Sequence, residues 1–265
     1  MELSGKTVVV TGGGSGIGRA LVAALLAQGA RVAAVDLDEA GLEETKVQLG
    51  SGDRLTGFVA NIADRARVMA LPDEIETALG PVDILINNAG VIQPFADFND
   101  LSFEVIDRMV TVNLVGPINM TKAFLPRLMA RPEAHLVNVS SMGGFIPFPG
   151  QTLYSASKAA VKVMTEGIYA ETLGSSVHVS VVLPGAVNTN IMKNSGVESA
   201  EDLSDAASAQ ALPADEAAKI ILEGIEANKL HILVGKDSRL LFKLVRLMPA
   251  RAIRIIQKQM KKMGR

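Results

Sequence analysis

Cysteine is absent from the 265 residues, which excludes disulfides and thiolate metal sites. Histidine is scarce, and His135, His178 and His231 stand far apart, so no metal site is expected. No uninterrupted apolar stretch approaches the ~20 residues of a membrane span. Residues 1–10 lack the charged, apolar and small-residue succession of a signal peptide, so the expectation is a cytoplasmic protein. Low-complexity tracts and fixed-period repeats are also missing, and 48% hydrophobic with 20% charged residues is globular composition. One large domain with a sizeable buried core is expected.

The net charge of −2 hides an asymmetry. Residues 236–265 hold ten Lys or Arg against one acid, Asp237, so a body of net −11 carries a segment of net +9. The division expected is a domain over 1–235 and a basic amphipathic helical extension over 236–265.

Apolar, β-rich runs lie at 7–10, 31–35, 54–59, 82–86, 135–139, 177–183 and 231–234. Helical periodicity fills 16–28, 39–49, 64–79, 102–129, 151–173 and 213–228. Alternation of this kind, with strands that are continuous apolar runs, predicts a doubly wound (Rossmann) α/β fold: a parallel seven-stranded sheet with helices on both faces. Its ligand crevice lies at the carboxyl ends of the strands.

Residues 11–18 read TGGGSGIG, between a strand and a helix, where a dinucleotide-binding loop belongs. No frame gives the strict G-x-G-x-x-G, because Ile17 or Arg19 falls at the third glycine. Gly12, Gly16 and Gly18 still permit a tight turn and a close approach to a pyrophosphate at the helix N-terminus. The plainer reading is a loose glycine-rich turn. Asp36 weighs against it, since it ends the second strand about 20 residues on, where a carboxylate accepts hydrogen bonds from a ribose. A carboxylate there repels a 2′-phosphate, and neither Ser15 nor Leu37 offers a cation, so NAD is expected over NADP.

Residues 154–158 read YSASK, and in a helix Tyr154 and Lys158 share one face at i, i+4. A lysine beside a phenol lowers its pKa and makes it a proton donor or acceptor near neutrality. Taken alone, the pair is also what a surface helix supplies. Its company is Ser141, just past the strand HLVNV and before Gly143 and Gly144, whose hydroxyl could hold a carbonyl oxygen. NNAG (87–90), Asn113 and PGAVNT (184–189) follow other strands. Singly these are turn or cap residues; jointly they fall where the crevice rule wants them.

With these motifs in this order and spacing, residues 5 to about 235 resemble the short-chain dehydrogenase/reductase family, whose loop T-G-x-x-x-G-x-G is one residue longer than the strict fingerprint. The resemblance implies Tyr154 as acid/base, Ser141 as the group orienting the substrate oxygen, and Lys158 as the residue lowering the tyrosine pKa and binding nicotinamide ribose. Asn113 would anchor a water in the proton relay. The implied cofactor contacts are Gly12, Ser15, Gly16, Ile17, Gly18, Asp36, Asn61, Ile62, Asn88, Ala89, Gly90, Pro184, Gly185, Val187 and Thr189, with Tyr154 and Lys158. Asn61 departs from the aspartate common there, though its amide oxygen still accepts from an adenine amino group. A homodimer or homotetramer built on the helices of Asn113 and Tyr154 is implied by analogy.

The loop after Ser141, with Phe145, Ile146, Pro147, Phe148 and then Leu153, offers apolar surface without a basic cluster. Phe145, Phe148 and Leu153 are therefore substrate candidates, and an apolar secondary alcohol or ketone is the expected substrate; simple loop packing is the competing reading. Segment 190–211 is the candidate lid. In 239–262, basic residues keep helical spacing on either side of Pro249. Such a pair could lie on an anionic membrane surface or bind a partner, or dock its apolar face on the acidic body; aromatic interleaving for nucleic acid is missing. The function expected is hydride transfer between NAD(H) and an apolar secondary alcohol or ketone. The alternatives are an NADPH-dependent 3-oxoacyl thioester reductase and a non-catalytic NAD-binding module with a membrane- or partner-binding tail.

Overall fold

Val8, Val9 and Val10 are all fully buried although successive strand residues point to opposite faces, so both faces of the sheet must be covered. The computed structural model describes residues 1–50, 52–197 and 211–262. Its strands are β1 (Thr7–Thr11), β2 (Arg31–Asp36), β3 (Leu55–Val59), β4 (Ile84–Asn87), β5 (Ala134–Val139), β6 (Val177–Pro184) and β7 (His231–Val234). They form one sheet in the order β3-β2-β1-β4-β5-β6-β7, with every pair parallel. The order reverses between β1 and β4, which opens the crevice at their carboxyl ends.

Among the described residues the α-helices are α1 (Gly16–Ala27), α2 (Glu39–Leu49), α3 (Arg65–Leu79), α4 (Phe103–Val110), α5 (Gly116–Met129), α6 (Thr152–Glu171), α7 (Ile191–Asn194), α8 (Ala214–Glu226), α9 (Lys236–Leu247) and α10 (Pro249–Lys262). Val8 and Val10 pack in one core with Leu21 and Leu25 of α1 and Ile221 of α8. Val9 packs on the other face with Ile75 of α3 and Met120 and Phe124 of α5. The expected seven-stranded, doubly wound sheet is thus the fold.

One expected helix differs. The periodicity over 102–129 reads as a single α-helix, whereas residues Thr111–Val115 form a π-helical turn between α4 and α5. Pro117 is the physical reason: it has no N–H to donate to the Asn113 carbonyl, so the α ladder is interrupted at that residue. Of the lid candidate 190–211, residues 198–210 lie outside the described residues.

His135 of β5 shows how the core tunes a titratable group. Ser180 Oγ donates to the Lys229 carbonyl (2.7 Å), so its lone pair is left to accept from His135 Nε2 (2.8 Å), while Nδ1 has no partner. Burial, reinforced by nearby His178, pushes the His135 pKa down from 6.5 to about 3. The unfolded chain takes up this proton as pH falls below 6.5 and the folded chain does not until about 3, so acidification across that window favours unfolding. The slope from this group is about 1.4 kcal/mol per pH unit at most. We expect urea midpoints to fall between pH 6.5 and 3 more steeply for the native chain than for His135→Gln; equal slopes would show that His135 is not the group responsible.

Candidate active site

The carboxyl ends of β1 and β4 are tied by one side chain. Thr11 Oγ1 accepts from the backbone N–H of Asn88 (2.9 Å) and of Ala89 (3.0 Å), and Asn88 Nδ2 donates back to the Thr11 carbonyl. Below this, Asn87 Nδ2 donates to Asn138 Oδ1 (2.8 Å), and Asn138 Nδ2 donates to Thr165 Oγ1 on α6 (2.9 Å). Buried amides demand such partners, so the ladder holds β4, β5 and α6 in one register.

Gly12 turns the chain at φ +72°, and a Cβ there would stand 2.8 Å from Asn88 Nδ2, so only glycine allows the two loops this close. Helix α1 follows with no acid in its first turn and no side-chain cap from Ser15. Among the described residues no side chain bonds to its N-terminal amides, which face the crevice, an arrangement suited to a pyrophosphate. Asp36 Oδ2 accepts from Gly14 N (2.9 Å) and Oδ1 from Asp38 N (3.1 Å), which fixes the carboxylate and leaves lone pairs for ribose hydroxyls. Arg19 reaches the same loop at the Gly14 carbonyl, but its guanidinium is committed to Glu44 and Thr45. These features fit a nicotinamide dinucleotide.

Two adjoining cavities make up the crevice. One is lined by Gly12, Ser15, Gly16, Ile17, Asn88, Ala89, Gly90, Ser141, Tyr154, Lys158, Pro184, Gly185, Val187 and Thr189, and the other by Asp36, Asn61, Ile62, Arg108 and Val112 with several of the same residues. Gly18 packs beneath, against Gly12 and Asn88. Asn61 Oδ1 accepts from Ala63 N (2.9 Å). Asn113 is fully buried; its Oδ1 accepts from Val91 N (2.8 Å) and its Nδ2 donates to the Val91 carbonyl (2.9 Å), clamping the loop after β4.

At the Tyr154 end of the crevice, Lys158 Nζ is buried and donates to the Val139 carbonyl (3.1 Å). Removal from water pushes its pKa down to about 8. Ser141 Oγ accepts from Gly143 N (3.0 Å) and is hydrogen-bonded to the Tyr154 phenol. Sequence reading expects Lys158 to lower the tyrosine pKa; in this structure the phenol stands above its ordinary value, because desolvation of the phenolate outweighs the opposing hydrogen bond of Ser141. The phenol is therefore neutral near pH 7 and able to give a proton.

The substrate candidates do not reach the crevice. Phe145 stacks edge-on against Phe242 of α9, with centroids 5.1 Å apart, and Phe148 packs on the cluster of Ile146, Ala252, Ile256 and Met260; neither they nor Leu153 line either cavity. Loop packing, the competing sequence reading, describes Phe145 and Phe148.

Several supports escaped sequence reasoning. Asp237 Oδ2 accepts from Ala186 N (2.8 Å), and a Cβ at Gly185 would overlap that carboxylate, so the first turn of α9 holds the PGAVNT loop. Asn194 Nδ2 donates to Ser15 Oγ (2.9 Å) from α7, and Arg108 donates to the Ser195 carbonyl (2.8 Å). Gln93 is fully buried; its Oε1 accepts from Tyr154 N (2.9 Å) in the first turn of α6 and its Nε2 donates to the Gly150 carbonyl (3.1 Å). The lone acid of the basic segment was a visible signal for Asp237; Gln93 carried none, because its partner is 61 residues away.

The short chain dehydrogenase family profile matches residues 6–200. The oxidoreductase SadH of Mycobacterium tuberculosis is 34% identical over 263 residues, covering 96% of this chain and 95% of that protein. A short-chain dehydrogenase/reductase of Burkholderia phymatum in complex with NAD superposes with a TM-score of 0.84 at 28% identity, covering 93% of this chain and 96% of the other. A short-chain dehydrogenase of Burkholderia cenocepacia in complex with NADP superposes with a TM-score of 0.81 at 26% identity, covering 97% and 99%. The chain belongs to the short-chain dehydrogenase/reductase family and is an oxidoreductase of that family.

Gln93→Leu removes the acceptor for Tyr154 N and should lower unfolding free energy by about 1–3 kcal/mol. Gln93→Glu keeps the acceptor for Tyr154 N but replaces the donor to the Gly150 carbonyl (3.1 Å) with a buried carboxylate oxygen, so it should lose at least as much, which denaturant titration of the two variants checks.

Proposed function

We propose that this chain is an NAD-dependent oxidoreductase that interconverts apolar secondary alcohols and ketones, with residues 1–235 as the catalytic unit. The observation that carries the reading is the convergence of Ser141, Tyr154 and Lys158 beside unclaimed helix N-terminal amides and the Asp36 carboxylate. A bound nicotinamide dinucleotide would supply or accept the hydride. Gly12, Ser15 and Ile17 would cradle its pyrophosphate, Asp36 its adenosine ribose, and Asn88 to Gly90, Lys158 and Pro184 to Thr189 its nicotinamide half.

In the reducing direction the neutral Tyr154 phenol donates its proton to the substrate oxygen, and Ser141 Oγ holds that oxygen in place. Lys158, whose ammonium is destabilised by burial, donates to the Val139 carbonyl and would donate to the ribose of a bound cofactor, and its charge would favour the phenolate left behind. Asn113 holds the Val91 backbone and so the wall of the nicotinamide pocket. Among the described residues lining the two cavities, Lys158 and Arg108 are the basic side chains, and both are engaged with backbone carbonyls, which supports an uncharged substrate. Self-association through α5 and α6 belongs to the same reading, supported by the exposed Ile118, Val163, Tyr169 and Leu173.

Turnover followed by nicotinamide absorbance, across apolar secondary alcohols and one 3-oxoacyl thioester, tests the reading. Tyr154→Phe should lower kcat by about 10²–10⁴-fold with NAD binding retained; an unchanged rate would remove Tyr154 from the chemistry. Asp36→Ser should shift the ratio of kcat/KM for NAD over NADP by at least tenfold toward NADP, since it deletes the charge opposed to a 2′-phosphate. A native chain faster with NADP than with NAD would overturn the cofactor assignment.

A further inference from the structure

The C-terminal hairpin of α9 and α10 has two faces of different chemistry. Its inner face is apolar: Phe242, Ala252, Ile256 and Met260 are buried against the loop after Ser141, with Ile146 fully enclosed. At about 100° per residue, the row 252, 256, 260 defines the docked side of α10 and places Arg251, Arg254, Lys258 and Lys261 on the opposite side. On α9 the exposed Leu240, Lys243 and Leu247 form an i, i+3, i+7 stripe, flanked by Arg239 and Arg246.

Among the described residues none of these seven cations has an acidic partner, although other exposed arginines do, such as Arg67 with Glu74 and Arg127 with Asp73 and Glu76. Arg246 lies over the Phe242 ring at 4.1 Å, which holds its guanidinium at the hairpin surface. Large aliphatics stand among the charges: Leu240 is 68% exposed, Leu247 79%, and Ile253 and Ile255 are exposed as well. Water alone does not reward aliphatic side chains in such positions.

We propose that this outward face docks on an anionic lipid bilayer. Unpaired cations match acidic headgroups, and the protruding leucines and isoleucines match the boundary of the acyl chains just beneath. A second copy is the poorer occupant, because a two-fold contact sets the same patch against itself and opposes seven like charges to seven. The body of net −11 is repelled by the same surface, so the hairpin decides which side of the molecule approaches. Because the hairpin packs directly on the loop after Ser141, the catalytic crevice is brought near the lipid. Docking itself does not depend on the redox reading, and its test reads binding rather than turnover.

The experiment is co-sedimentation of the full chain with vesicles of phosphatidylcholine alone and of an equimolar mixture with phosphatidylglycerol. Binding to the mixed vesicles only is expected, weakening as salt screens the charges. Each basic residue near such a surface strengthens partitioning about fivefold, so Arg254→Glu with Lys258→Glu should weaken binding at least tenfold. The unfolding midpoint and NAD affinity should be unchanged. Leu240→Ser with Leu247→Ser should also weaken binding while leaving its salt dependence. Equal binding to both vesicle types, no binding to either, or full binding by the charge-reversed variant would overturn the proposal. So would a charge reversal that changes the oligomeric state in lipid-free solution and leaves sedimentation untouched.

Discussion

Parallel strands all present their carboxyl ends on one edge of a sheet, and the connections leaving that edge have backbone polar groups with no ladder partner. In this chain those groups are satisfied by side chains of neighbouring connections. Thr11 serves the amides of Asn88 and Ala89, Asn113 serves both polar groups of Val91, Asp237 serves Ala186, and Gln93 serves Tyr154. Each bond satisfies a backbone group that lacks a ladder partner and also fixes a segment at the crevice. Rigidity of the cofactor pocket is thus a by-product of a requirement that any buried backbone imposes.

The same burial sets the electrostatics. Lys158 loses water and its ammonium becomes less favourable, while the Tyr154 phenol loses water and its anion becomes less favourable. Both shifts favour the uncharged forms, so the phenol is held protonated and able to give its proton, while the ammonium loses its own proton more readily than it would in water. At the crevice mouth two backbone N–H groups, of Gly14 and Asp38, hold the Asp36 carboxylate in one orientation.

The C-terminal hairpin joins these themes. Its first turn holds the PGAVNT loop through Asp237 and, through Ser238 Oγ, the Leu183 carbonyl, so a segment that sequence reading separated from residues 1–235 shares the support of the cofactor pocket. Its buried face covers the apolar loop after Ser141, which is why Phe145 and Phe148 serve packing and stand outside the cavities. An amphipathic pattern alone says that one face is apolar; what covers that face depends on distant surfaces.

Fold class was legible from residue order because the period of apolar positions is a local property, and seven buried runs alternating with helical stretches admit few architectures. The glycine loop, Asp36 and the Tyr154 and Lys158 pair were legible for the same reason, since each is a short spacing on one element. The π-helical turn at Asn113 was not read, because the apolar periodicity runs on through 102–129. Gln93 beneath Tyr154, Asp237 against Gly185 and Phe242 against Phe145 join residues dozens of positions apart. Local sequence determined which elements form and which groups carry charge. Tertiary structure decided which of those groups are desolvated and what they touch, because burial and hydrogen bonding are properties of the assembled surfaces and have no periodicity along the chain.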